Sequence, residues 1–295
     1  SGRDCYPASR TSIGLRSMRL LKGTKMFDEF GNRMKGYENK ARIYLEPKTP
    51  VIIRIDGKAF HTFTRGFQKP FDEIFMEAMR ETMKYLCENI QGCVFGYTQS
   101  DEITLVLIDY QNENSASWFN YNIQKCSSVA ASMATMKFNT EFKSLAIMEP
   151  FRDQSERGIK INDARLKAIK KGAMFDARAF NMPKNEVANC ILWRQTDAAR
   201  NSTLMVGLHM FSQKQILGKS CSEIREMLIT ERGVDWSKLP SYKRHGCCCT
   251  KKQVDVSGAT RNKWEIDLEM PMLYRSDRKL INDLIGYTEE TEESK

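Results

Sequence analysis

Residues 51–55, Val-Ile-Ile-Arg-Ile, form an apolar, β-branched run that stops at Asp56-Gly57. So short a run, closed by a turn-forming pair, predicts a buried strand. Lys58, His61, Arg65 and Lys69 make the loop after it basic. Asp72 can cap a helix in which Phe75, Met79, Met83 and Leu86 recur at helical spacing before Gly92 ends it. Strands are then expected at Cys93–Tyr97 and Ile103–Ile108, joined as a hairpin by Thr98-Gln99-Ser100-Asp101-Glu102. The spacing of Phe119, Ile123, Cys126, Ala130 and Met133 predicts a second long helix from Ser115 to about Phe138. A basic linker leads to a fourth strand over residues 173–180. Beyond Pro183 the pattern turns helical: Asn185 to about Met210, then a helix to about Leu228 opened by the capping box Ser220-Cys221-Ser222-Glu223. From about Trp236 the chain reads as a basic loop, Lys243-Arg244-His245, ahead of Cys247-Cys248-Cys249 and Lys251-Lys252, and the Glu-rich end reads as disordered.

The order strand, helix, strand, strand, helix, strand predicts an α+β fold with a ferredoxin-like antiparallel sheet and helices on one face. In that topology the first and third strands are antiparallel neighbours. Asp56 leaves the first strand, and Asp101 and Glu102 enter the third, so residues 45 positions apart arrive at one edge of the sheet. Three segments follow: a Ser-, Gly- and Arg-rich leader over residues 1–25, a catalytic domain over 26–182, and a mainly helical, RNA-contacting part over 183–295 with its acidic tail.

Composition narrows the class. With 295 residues and 41% hydrophobic content the chain can bury a substantial core. A net charge of +9 favours polyanionic partners, nucleic acid first. The nine cysteines lack framework spacing, which suits a reducing cytoplasm, and no stretch approaches the roughly 20 apolar residues of a membrane span.

Carboxylates crowded at a strand end repel one another and take up protons unless a cation neutralises them. Asp56 and Asp101 are read as bridging ligands of two Mg²⁺ ions, the Gly57 carbonyl as a further oxygen, and Glu102 as a weaker or outlying member. Acids at turns are also ordinary turn formers; strand order gives them a metal role. Lys58, His61 and Lys69 can hold a triphosphate by charge-assisted hydrogen bonds, although loop lysines are commonly only solvated and a histidine can serve the core. Arg194, Arg200, Lys243, Arg244 and Lys251 are read as RNA or triphosphate contacts, against the alternative of a solvated basic face. Trp193 is expected to anchor the core, with a base-stacking platform as the alternative. The adjacent cysteines lack zinc-ligand spacing and are read as reduced thiols in a loop.

Several segments resemble the tRNA-His guanylyltransferase family: residues 54–63, Arg-Ile-Asp-Gly-Lys-Ala-Phe-His-Thr-Phe; 69–72, Lys-Pro-Phe-Asp; 96–102, Gly-Tyr-Thr-Gln-Ser-Asp-Glu; 175–178, Phe-Asp-Ala-Arg; and 193–197, Trp-Arg-Gln-Thr-Asp. The resemblance runs in order from about Met26 to about Lys252. It implies a polymerase-like palm that extends RNA in the 3′-to-5′ direction, with the 3′-hydroxyl of an incoming nucleotide attacking an activated tRNA 5′ end. Carried over by position, Asp56, Gly57 and Asp101 hold two Mg²⁺ ions. Residues Asp56, Gly57, Lys58, Ala59, Phe60 and His61, with Ser100 and Asp101, line a pocket for ATP or GTP, and Lys69 and Asp72 position phosphates. The resemblance also implies a homotetramer.

One segment departs. Eukaryotic members carry His-Ile-Asn-Asn-Leu-Tyr after the Trp-Arg-Gln stretch, where this chain reads Ala198-Ala199-Arg200-Asn201-Ser202-Thr203. That resembles the bacterial guanylyltransferase-like branch, associated with template-dependent repair of 5′-truncated tRNA. Untemplated guanylylation of tRNA-His, a nucleotide cyclase on the same palm, and a non-catalytic RNA-binding protein are the alternatives.

Overall fold

The computed structural model describes residues 25–152, 162–256, 259–274 and 277–288. The expected leader up to residue 24 and the acidic tail from residue 289 lie outside the described residues. Two units are distinguished, residues 1–43 and 44–295. The first contains helix α1 (Lys25–Lys40), with Asp28 in its first turn and Lys40 in its last, the arrangement its dipole favours.

In the second unit the first apolar run forms β1 (Val51–Gly57), followed by the short helix α2 (Phe60–Phe63) and the long helix α3 (Glu73–Asn89). The hairpin is β2 (Cys93–Gln99) and β3 (Glu102–Leu107). Helices α4 (Ile123–Arg152) and α5 (Asp163–Lys171) lead to β4 (Phe175–Asn181). Then come α6 (Lys184–Met210), α7 (Gln213–Ile216), α8 (Cys221–Arg232), α9 (Ser241–His245), β5 (Cys247–Val256), β6 (Ala259–Asp267) and α10 (Lys279–Leu284). The strands make one antiparallel sheet in the order β4-β1-β3-β2-β5-β6. Its first four positions are the expected ferredoxin-like arrangement.

Three local expectations are corrected. The second long helix begins at Ile123, because Phe119, Asn120 and Tyr121 have positive φ and break the turn before it. The capping box at Ser220 does open a helix, which continues past Leu228 to Arg232 and ends at Gly233 in the left-handed conformation. The tail read as a basic loop is instead β5 and β6, so the sheet crosses the boundary expected near residue 182 and the three adjacent cysteines lie in a strand.

Alternation along β1 explains how the sheet is buried. Val51, Ile53 and Ile55 join Ile103, Leu105 and Leu107 on the face covered by Met79, Met83 and Leu86 of α3 and Ala130 and Phe138 of α4. Ile52 and Val106 join Val187 and Ile191 of α6 and Ile281 of α10 on the other. The palm's own helices thus lie on one face, as expected, while the C-terminal helices cover the second. At about 1.5–3 kcal/mol for each large apolar side chain removed from water, both layers contribute to holding the strand ends in place.

Candidate active site

β1 ends where Asp56 is paired with Glu102 on one side and with Asp176 on the other. Residues directly opposite on neighbouring strands share a face, so three carboxyl side chains stand abreast across β4, β1 and β3. Gly57 N donates to Asp101 O at 3.1 Å, which ties the end of β1 to the β2–β3 turn. In that turn Ser100 is left-handed, with φ of 49°, and its Oγ donates to Asp101 Oδ1 at 3.0 Å. The two aspartates singled out from strand order are therefore neighbours. Burial pushes the Asp101 carboxyl above its ordinary pKa, and the Asp56 charge adds to the rise. A hard cation relieves that kind of strain. Among the described residues no group of three or more His, Cys, Asp or Glu is placed to hold a metal; the donor set on offer is Asp56, Asp101 and the Gly57 carbonyl.

Glu102 has a different partner. Arg194 Nε donates to its Oε1 at 2.7 Å, and Arg194 Nη2 donates to Asp197 Oδ2 at 3.1 Å. Burial raises the Glu102 pKa, and the adjacent guanidinium opposes the rise. Arg194, expected on an RNA-facing surface, is 9% exposed and serves this pair. The reversal extends to its neighbour: Trp193, expected in the core, is 55% exposed, with Arg54 and Arg194 lying 5.3 Å and 4.6 Å from its ring.

A cavity of about 480 Å³ opens beside the aspartates. Its lining includes Gly57, Ala59, Phe60, His61, Lys69, Asp72, Ser100 and Asp101, most of the expected nucleotide contacts; Asp56 and Lys58 are not part of it. The loop reaches it through a tight turn. A Cβ on Gly57 would lie 2.3 Å from the Phe60 ring, so only glycine lets β1 pass this close, and Ala59 takes left-handed angles (φ 56°, ψ 40°) to start α2. Phe60 then anchors the loop against Phe138 and Phe175. His61 is exposed at the cavity, its Nε2 3.0 Å from Thr62 Oγ1, which disposes of a core role. Asp72 turns out to be structural: it caps α3 by accepting from Phe75 N at 3.0 Å, and its other oxygen receives Gln68 N at 3.1 Å and Arg165 Nη2 at 2.9 Å. Its carboxylate therefore positions the loop that carries Lys69.

The remaining basic residues divide. Lys243 and Arg244 border the cavity, and Lys243 is paired with Glu73. Arg200 is exposed and 3.4 Å from Asp197. Lys251 is exposed on β5, is not among the residues that line the cavity, and lies 5.4 Å from the Trp264 ring. Cys247, Cys248 and Cys249 are buried strand residues. Sequence reading missed Asp176, for which the Phe175-Asp176-Ala177-Arg178 segment was the available signal. It also missed Gln68, Asn201, Ser202 and Tyr242 in the cavity wall, which carry no recognisable pattern.

An antiparallel palm with clustered carboxylates at a strand end, beside a cavity of nucleotide size, defines a palm-type enzyme of the class that acts on nucleotides. The family model described as tRNAHis guanylyltransferase matches residues 31–183, and the chain belongs to that family. Among solved structures, a bacterial tRNA(His) guanylyltransferase-like protein in complex with ATP superposes with a TM-score of 0.72 at 39% identity, covering 87% of this chain and 99% of that one. A bacterial guanylyltransferase-like protein in complex with GTP gives 0.70 at 36% identity, with the same coverage. The probable tRNA(His) guanylyltransferase of Dictyostelium discoideum is 25% identical over 74% of this chain and 83% of its own length. No helix among the described residues is long and apolar enough to cross a membrane.

Proposed function

We propose that this protein adds nucleotides to the 5′ end of tRNA in the 3′-to-5′ direction with two Mg²⁺ ions, and that it repairs 5′-truncated tRNA by copying the opposite strand. The observation that carries the reading is the juxtaposition of Asp56 and Asp101, locked by the Gly57–Asp101 hydrogen bond, at a cavity of about 480 Å³. That volume lies within the range of about 300–1,000 Å³ usual for small-molecule sites. The likeness to bacterial relatives seen with ATP and with GTP supports a nucleoside triphosphate as its occupant.

The donor chemistry of Asp56, Asp101 and the Gly57 carbonyl, all oxygen and partly anionic, fits Mg²⁺. Held there by Asp56, Asp101 and the Gly57 carbonyl, Mg²⁺ would supply the positive charge that lowers the pKa of an attacking hydroxyl and neutralises the leaving phosphates. The chain's own groups do the rest. His61 and Lys69 border the space for phosphates, and Ser100 Oγ orients Asp101. In the reaction the 3′-oxygen of the incoming nucleotide forms a bond to the 5′ phosphorus of the activated RNA. The bond from that phosphorus to AMP or pyrophosphate breaks, and the hydroxyl proton passes to solvent.

Templating is favoured by residues 198–203, where the chain departs from the eukaryotic pattern. Ala198, Asn201 and Ser202 from that segment border the cavity, so the departure changes the wall against which the nucleotide and RNA are selected. The test supplies a 5′-truncated, triphosphorylated tRNA with each nucleotide separately and varies the base opposite the gap. Incorporation that follows the opposite base supports repair; addition of G whatever the opposite base supports guanylylation. GTP turned over to a cyclic product without RNA would replace both. The same reading makes the assembly a homotetramer, which sedimentation tests.

A further inference from the structure

α6 has the nucleotide cavity on one side and a second cavity on another. Ala198, Asn201 and Ser202 border the first, while Thr196, Ala199 and Arg200 border the second, a space of about 580 Å³. Arg244 borders both. Arg200, Arg225 and Arg244 put three guanidinium groups on the second cavity, and no carboxylate is among its described lining residues. Arg200 is paired with Asp197 at 3.4 Å, an acid shared with Arg194 and Asn201.

These cations are held in place. Arg225 Nε donates to Thr203 Oγ1 at 3.0 Å, and its guanidinium lies 3.6 Å from the centroid of the Trp236 ring. Trp236 Nε1 donates to Ser202 Oγ at 3.2 Å, and Ser202 Oγ donates to Arg244 O at 2.7 Å. Arg244 stands 5.7 Å from the same ring, and its Nε is buried with no hydrogen-bond partner. A buried indole thus orders two arginines, one with a donor to spare. Three guanidinium groups with one shared acid, Asp197, among the described residues leave an excess of positive charge there, and planar guanidinium forks match phosphate oxygens in pairs. Tyr274, 61% exposed at the rim, offers a ring on which a base can stack.

We propose that this second cavity binds a backbone phosphate of the RNA substrate, gripped by Arg200, Arg225 and Arg244, on the side of α6 away from the incoming nucleotide. The proposal rests on the reading that the acceptor is RNA. A single nucleotide occupies one cavity; a polymer with a phosphate at every residue can occupy both, passing Arg244 between them. Electrostatic contacts to phosphate dominate nucleic-acid affinity and set its salt dependence.

Fluorescence anisotropy tests it with full-length protein, a labelled 5′-truncated tRNA over a KCl series, and a fluorescent GTP analogue in parallel. Arg200→Gln and Arg225→Gln should each weaken RNA binding about tenfold and make the slope of log affinity against log salt shallower by about 1. Arg225→Lys keeps the charge and should keep the slope while losing part of the affinity. GTP binding should be unchanged, since neither residue borders the first cavity. Unaltered RNA affinity and slope in both glutamine variants would overturn the proposal, as would lost GTP affinity with RNA affinity intact, which marks a nucleotide site. If Arg225→Gln fails to fold by thermal melting, the exposed Arg200→Gln carries the comparison. Wild-type protein that binds no RNA would sink the functional reading itself; wild type and variants binding RNA equally well would sink only the second cavity.

Discussion

Arg194 Nε lies 2.7 Å from Glu102 Oε1, so the acid immediately after Asp101 is neutralised by a helix that begins more than 80 residues later in the chain. Both side chains are about 10% exposed. Among the described residues, Asp176 lies 3.8 Å from Arg178 and Glu102 is held by Arg194, which leaves Asp56 and Asp101 as the acids of this strand end without a basic partner, while Glu102 fixes the start of β3 against α6. The pair couples the nucleotide side of the sheet to the helix that also borders the arginine-lined cavity.

Removing one partner of such a pair leaves a buried charge without compensation, a loss of about 3–5 kcal/mol. Urea unfolding of Arg194→Ala should show a loss of that order, and the double variant Arg194→Met with Glu102→Gln should recover part of it. A single-variant loss below about 1 kcal/mol, the size typical of surface pairs, would show that the pair is not a stabilising tie.

On the proposed two-metal reading, Asp101→Asn removes a metal-binding charge while leaving the arginine cavity untouched. Nucleotide addition should fall by at least about a thousandfold, equivalent to roughly 4 kcal/mol of barrier. Affinity for tRNA should stay within about twofold, because backbone contacts supply it. Single-turnover kinetics with a parallel binding assay separate the two, and a variant that adds nucleotides at the wild-type rate would contradict the assignment.

How much of this was legible depended on how plainly a segment declared its environment. β1 does so through Val51, Ile52, Ile53 and Ile55, and with the β2–β3 hairpin its place in the strand order is enough to bring Asp56 beside Asp101. β5 does not: Cys247, Cys248 and Cys249 are buried on alternate faces, and Lys251 and Lys252 follow as exposed residues, so neither a period of two nor an apolar run is visible. Arg194 and Trp193 were misread in opposite directions for one physical reason. The burial of Arg194 depends on a carboxylate 92 positions away, and the exposed indole of Trp193 is bracketed by its neighbour Arg194 and by the distant Arg54, whose approach local sequence does not show. The cap of Asp72 is legible from its place just ahead of the Phe75–Leu86 periodicity, whereas its phosphate role comes from the family resemblance alone and its Arg165 partner becomes visible only in three dimensions.

The strand cysteines make a direct test of β5. Burial pushes the Cys247 thiol up to about 12 and raises that of Cys248 as well, and all three adjacent cysteines are inaccessible. Of the described cysteines only Cys221 is partly exposed. Brief alkylation at pH 8 followed by peptide mapping should label Cys221 and leave Cys247–Cys249 unmodified until denaturant is added, since the thiolate is the reactive form. Native-state labelling of the three would place them in a loop after all.

His245 gives the pH dependence. Its ring is buried beneath the arginine-lined cavity, with Nε2 2.8 Å from Met270 O. Burial lowers its pKa below the ordinary 6.5, the Arg244 charge acts the same way, and the Met270 carbonyl and Glu269 oppose them. The folded protein therefore binds fewer protons at this site than the unfolded chain in the interval beneath 6.5. The stability it contributes is fully present above that value and is lost as the pH falls through the interval down to the folded pKa. Urea unfolding between pH 7.5 and 5.0 should show wild-type stability declining more steeply than that of His245→Gln, which cannot take up the proton. Tyr97 Oη donates to His245 O at 2.6 Å, a backbone contact that the substitution leaves in place, so the difference in slope reports on the ring alone. Parallel curves would mean that the buried imidazole accepts its proton without penalty, and the packing described around it would then be wrong.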